Sequence, residues 1–130
     1  MTKRMRIDTS NAPAANGHYS QAVVGQNVIY CAGQTPVDPK SGEIVPGGFD
    51  AQVHQSLRNL SAVLEAAGSN LGLTLKTTVF LKDMNNLAAM DAIYKTYFPD
   101  PPPARSTIEV ARLPKDAQVE IELVAVVPSR

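Results

Sequence analysis

Gln118-Val119-Glu120-Ile121-Glu122-Leu123-Val124-Ala125-Val126-Val127 decides the fold. Val119, Ile121 and Leu123 alternate with Gln118, Glu120 and Glu122, the two-residue period of a strand with one buried face. From Leu123 the run stays apolar through Val127, so its second face is apolar as well. Val28-Ile29-Tyr30-Cys31-Ala32 has the same two-sided character. Strands of this kind belong to a sheet that needs cover on both faces.

Working outward, the other elements cover only one face. Over residues 50–67, Val53, Leu57, Leu60, Leu64 and Ala67 recur at helical steps, with Gln52, Gln55, Asn59 and Glu65 mainly off that stripe. Asp50 is the expected N-cap and Gly68 the stop. A second helix is expected after Asn85-Asn86, with Leu87, Met90, Ile93 or Tyr94, and Tyr97 on its apolar side; Pro99 and the Pro101-Pro102-Pro103 run end it. Further strands are expected at 5–7, 21–25, 27–32, 75–81 and 106–110, the second and third joined tightly at Gly25-Gln26. The order is β-β-β-α-β-α-β-β, an α+β fold: a mixed sheet with two helices on one face. The other face calls for a self-associating sheet, hence an obligate homo-oligomer.

The chain of 130 residues is the size of one domain, 1–130, and its 44% hydrophobic content supplies a core. Lys plus Arg number 12 and Asp plus Glu number 12, and this zero net charge argues against a general nucleic-acid binder. No fixed charge falls between Asp8 and Asp38. The single cysteine, Cys31, excludes an intramolecular disulfide and a multi-cysteine zinc site within one chain, and suits a reducing cytoplasm. The basic start, Met1 to Arg6, lacks a following apolar segment, so no signal peptide is expected. No apolar run approaches the roughly 20 residues of a membrane span.

The common metalloprotease, phosphate-loop, dinucleotide and serine-hydrolase motifs are absent. His54 reads as a helix-surface residue rather than a metal ligand, since Asp50 is its only acidic neighbour at helical spacing. Cys31 reads as a small buried hydrophobe, with a pairing to His18 left open. Arg105 follows prolines that favour an extended approach, and shares a strand face with Thr107 and Glu109; its guanidinium can fork onto a carboxylate. The alternative is a surface arginine. Glu120 faces away from the Val119/Ile121/Leu123 side. Burial under a neighbour would raise its pKa toward proton exchange near neutrality, against the alternative of a solvated glutamate.

Five segments carry a family resemblance: Asn11-Ala12-Pro13-Ala14; Gly17-His18-Tyr19-Ser20-Gln21; Gly33-Gln34; Lys76-Thr77-Thr78-Val79-Phe80-Leu81-Lys82-Asp83-Met84; and the block from Pro103 through Arg105-Ser106-Thr107-Ile108-Glu109-Val110 to Leu113-Pro114-Lys115-Asp116. In order and nearly end to end, the chain resembles the RidA/YjgF family, also labelled endoribonuclease L-PSP. The resemblance implies a chorismate-mutase-like fold, a homotrimer around a central β-barrel, and ligand clefts between subunits. It implies hydrolysis of reactive enamine and imine acids of the 2-aminoacrylate and 2-aminocrotonate type to 2-oxo acids and ammonia, without metal or other cofactor.

Position by position, the resemblance makes Arg105 the carboxylate anchor, Glu120 the acid–base group on the attacking water, and Tyr19 the cleft tyrosine. Gly33 and Thr107 offer backbone to the ligand. With the 9–37 segment uncharged, Arg105 is expected to dominate the field seen by a carboxylate, with Glu120 as its counterweight. Three residues depart from the family pattern: His18 where proline is common, Ala32 where serine often precedes Gly-Gln, and Asp91 where asparagine is common. Two other functions stand beside the deaminase: a non-catalytic trimer binding small carboxylates, and a ribonuclease or translation inhibitor.

Overall fold

The computed structural model describes residues 3–129. The elements follow the expected order: β1 (Met5–Ile7), β2 (Ala22–Gly25), β3 (Val28–Gln34), α1 (Gly48–Ala66), β4 (Thr74–Leu81), α2 (Leu87–Tyr94), β5 (Ala104–Glu109) and β6 (Val119–Val126). The strands form one six-stranded sheet in the order β1-β2-β3-β6-β4-β5. Every pairing is antiparallel except β4–β5, where α2 provides the crossover that parallel neighbours require. The sequence's strongest strand signal, β6, lies between β3 and β4, so both edges of its backbone are paired.

Register fixes which side chains share a face. Ile121 lies opposite Val79 and Leu123 opposite Thr77; all four are buried. Ile29 and Cys31 join them from β3, opposite Ala125 and Leu123. Against this face pack Val53, Leu57, Leu60, Val63 and Leu64 of α1 and Met90 and Tyr94 of α2. The other face carries Tyr30, Lys76, Thr78, Phe80, Glu120, Glu122 and Val124, with Ile108 at its edge. Among the described residues no helix packs on it, and Tyr30 stands 58% exposed and Ile108 45%.

The structure corrects several local expectations. The β2–β3 turn is Gln26-Asn27, both with positive φ (53° and 63°), because a two-residue hairpin matching strand twist needs two left-handed residues. Gly47 rather than Asp50 is the N-cap of α1; Asp50 lies in the first turn, where its charge favours the helix dipole. A short 3-10 turn, Met84–Asn86, precedes α2 and is capped by Asp83, which accepts the Asn85 N–H at 2.9 Å; Asn86 is the N-cap of α2 as expected, though its side chain makes no capping hydrogen bond. The second helix also ends earlier than its apolar pattern, at Tyr94.

Gln52 and Asn59, expected off the apolar stripe, are buried. Each satisfies backbone that would otherwise be orphaned. Gln52 Oε1 accepts from the Gln118 N–H at 2.9 Å. The Asn59 amide donates to the carbonyls of Thr35 and Val37 at 3.2 and 2.9 Å. These two amides hold the start of β6 and the loop after β3 against α1.

Leu60 is fully buried at the centre of the helix–sheet interface. Leu60→Ala is expected to cost about 2–5 kcal/mol of stability through lost burial and a residual cavity; denaturant unfolding measures it.

Candidate active site

Glu120 stands on the open face of β6, opposite Phe80 of β4. On its other side the β3–β6 ladder is irregular. Cys31 pairs with Leu123 and Gln34 with Ile121, so three steps along β3 match two along β6. This bulge brings Gly33 against the glutamate. A Cβ at Gly33 would lie 2.9 Å from Glu120 Cδ and overlap its Oε2, so glycine is the residue that leaves room for the carboxyl. Half-burial, and then the nearby charge of Glu122, raise the Glu120 pKa above the usual carboxyl value.

Gly33 also lines a cavity of about 430 Å³ with Tyr19, Gln34, Thr35, Asp38 and Lys115. Tyr19 is 54% exposed at its rim. The turn before it is closed by the Tyr19 N–H donating to the Gly17 carbonyl at 3.0 Å, and by the Asn16 N–H donating to the Tyr19 hydroxyl at 3.2 Å. Gln21, buried, ties down the approach: its amide nitrogen donates to Thr9 and Pro13 carbonyls at 3.0 and 2.8 Å, and its oxygen accepts the Thr9 N–H at 2.8 Å. The cleft thus has an exposed tyrosine and Gly33 in its lining, and Glu120, a carboxyl that holds its proton more tightly than usual, approaches it through that glycine.

Arg105 lies elsewhere. It pairs with Thr77 of β4, and Thr107 with Val79, which puts both on the helix-bearing side of the sheet at its edge. Arg105 and Glu120 are therefore on opposite faces within one chain. The guanidinium rests over the Tyr94 ring, Cζ 4.8 Å from the centroid. Tyr94 is fixed in turn by a 2.7 Å hydrogen bond between its hydroxyl and Thr77 Oγ1. Arg105 Nη1 donates to Asp91 Oδ1 at 2.6 Å. Within one chain the carboxylate partner of Arg105 is thus Asp91, because register puts the arginine under α2 and Glu120 on the far face. Asp91, Tyr94, Lys95, Phe98, Asp100 and Arg105 line a cavity of about 640 Å³.

Asp91 and Tyr94 escaped the sequence reading as partners of Arg105. Their spacing of three puts both on one side of a helix, the available signal, but only the β4–β5 register shows what they face.

The remaining candidates separate cleanly. His18 is exposed in the loop before Tyr19, and Ala32 is half-buried at the bulge. Cys31 is buried on the helix side, and burial pushes its thiol up to about 12, so it stays protonated and inert. His54 is half-buried rather than on the surface: its Nδ1 lies 2.7 Å from the Tyr97 hydroxyl. Among the described residues, no cluster of three His, Cys, Asp or Glu side chains is placed to hold a metal ion, and no helix is long and apolar enough to cross a membrane.

Comparison with known proteins agrees across nearly the whole chain. The family model described as endoribonuclease L-PSP matches residues 9–127. The 2-iminobutanoate/2-iminopropanoate deaminase of Escherichia coli K12 is 52% identical over 123 residues, covering 92% of this chain and 95% of that protein. The deaminase of the same name from Rattus norvegicus is 49% identical over 123 residues, covering 95% and 90%. The crystal structure of the yjgF gene product of E. coli superposes with a TM-score of 0.89 at 49% identity, covering 95% of this chain and 99% of that one.

The raised pKa of Glu120 has a signed consequence. Between the ordinary carboxyl pKa and the raised folded one, the unfolded chain has released this proton and the native chain retains it. Stability from this group therefore falls as pH rises through that window. Glu120→Gln is expected to remove that component of the slope, leaving a shallower profile in denaturant unfolding across the same pH range.

Proposed function

This chain belongs to the RidA/YjgF, or endoribonuclease L-PSP, family, and from that premise we propose that it hydrolyses reactive 2-imino and 2-enamino acids to 2-oxo acids and ammonia. The carrying observation is the Glu120–Gly33 contact, a half-buried carboxyl of raised pKa fitted against bare backbone beside a cleft.

The chemistry demands little of the protein. An imine carbon is already electrophilic, so a held substrate, a placed water and a proton carrier suffice. Arg105 anchors the substrate carboxylate, and Tyr19, Gly33 and Thr107 line the ligand. Glu120 takes a proton from water as the oxygen adds to the imine carbon. The C=N π electrons move to nitrogen, which is protonated. The tetrahedral adduct then expels ammonia as its hydroxyl loses a proton and becomes the ketone, with Glu120 carrying protons between oxygen and nitrogen. No metal or cofactor takes part in this scheme.

The opposite-face placement of Arg105 and Glu120 supports a site completed by a second copy, as does the uncovered apolar face around Tyr30, Phe80 and Ile108. We assign the assembly as a homotrimer whose open faces join in a central barrel, and its setting as the cytoplasm.

With 2-aminoacrylate generated in situ from serine by a dehydratase, the protein is expected to accelerate imine decay. Glu120→Gln should lower kcat by about 10²–10⁴-fold, the usual contribution of one acid–base group, and Arg105→Ala should raise KM and lower kcat/KM. Acceleration that survives both substitutions would reject the assignment, and a monomer in sedimentation at micromolar concentration would reject the assembly.

A further inference from the structure

The Arg105 anchor is charge-balanced, and this bears on what it selects. Asp91 of α2 holds Arg105 Nη1 at 2.6 Å, while its own side chain remains 53% exposed. The cavity around them carries two acids, Asp91 and Asp100, and two bases, Lys95 and Arg105. A bare carboxylate approaching Arg105 gains its attraction but also meets the Asp91 charge at close range. A carboxylate with a positive nitrogen on the adjoining carbon meets no such conflict. Its negative end pairs with Arg105, while its positive end lies within a few bonds and can face Asp91.

We propose that Asp91 is a specificity-determining residue that makes the anchor favour a zwitterionic 2-iminium or 2-amino carboxylate over a bare 2-oxo carboxylate. The proposal rests on the reading of Arg105 as the carboxylate anchor. It also gives the pair a role in turnover. Hydrolysis replaces the positive nitrogen of a protonated imine by a neutral ketone oxygen, so the product loses its attraction to Asp91 and keeps the repulsion. The anchor thus holds the substrate better than the product. The fold supplies the arrangement: Asp91 and Tyr94 lie three residues apart on α2, one meeting the guanidinium end-on and the other supporting its plane.

Isothermal calorimetry on the intact protein with 2-aminobutyrate, a stable zwitterion, and 2-oxobutyrate, the anionic product, tests this. Wild type is expected to bind 2-aminobutyrate the more tightly. Asp91→Asn, which retains size and hydrogen bonding, should tighten 2-oxobutyrate and weaken 2-aminobutyrate, each by about two- to fivefold, the scale of a partly exposed ion pair. Both changes should shrink at high salt. Opposite shifts for the two ligands cannot come from a general loosening of the site. Shifts in the same direction, or none, with binding still lost in Arg105→Ala, overturn the role of Asp91 alone. Binding of both ligands unchanged in Arg105→Ala overturns the anchor reading and the proposal with it.

Discussion

A strand apolar on both faces cannot rest on one layer of helices, and β6 imposes this constraint on the whole molecule. Val119, Ile121, Leu123 and Ala125 are buried beneath α1 and α2, while Val124 and Val126 share the opposite face with Tyr30 and Phe80. Apolar area left in water on that face is a standing drive to association, at about 25 cal/mol per Å² once covered. The same face carries Glu120, so the surface that calls for a partner also holds the acid–base candidate. Fold, assembly and chemistry meet on one strand.

Much of this is legible in the local pattern of the sequence. The period-two run of β6 and the four-three spacing of Val53, Leu57, Leu60 and Leu64 report burial directly, because each apolar side chain faces the core it helps to form. The resemblance placed Arg105, Glu120, Tyr19 and Gly33 by motif, and register now shows that they occupy two separate places on one chain. What local pattern missed has physical causes. The bulge at Ala32-Gly33 leaves no mark in a run of small residues. Gln52 and Asn59 look polar and therefore exposed, yet their amides are buried because distant backbone groups need partners. Asp91 could be placed on a helix, but its meeting with Arg105 depends on the alignment of β5 with β4.

The two charged groups are controlled by different physics. Arg105 is held by direct contacts: an aromatic face below it, a carboxylate at its end, and a threonine that fixes the aromatic ring. Its charge is permanent, so its neighbours can alter only what it attracts. Glu120 is tuned instead by removal of water and then by the charge of Glu122. Its protonation is therefore the variable of the site, and anything that changes its exposure changes its proton affinity.

The proposed trimer follows through this last point. Covering the open face removes further water from Glu120 and moves its pKa upward again. An arginine brought near from another copy acts in the opposite sense, stabilising the carboxylate. The working proton affinity is then the balance of these two effects, and both arise from the same docking event. Gly33 keeps the carboxyl seated while this happens, since any larger residue would displace it from the bulge. On this argument the proposed assembly would set the protonation state of the proposed acid–base group as well as close the cleft around it, and a chain that folded correctly but failed to associate would have its glutamate in place and its proton affinity wrong.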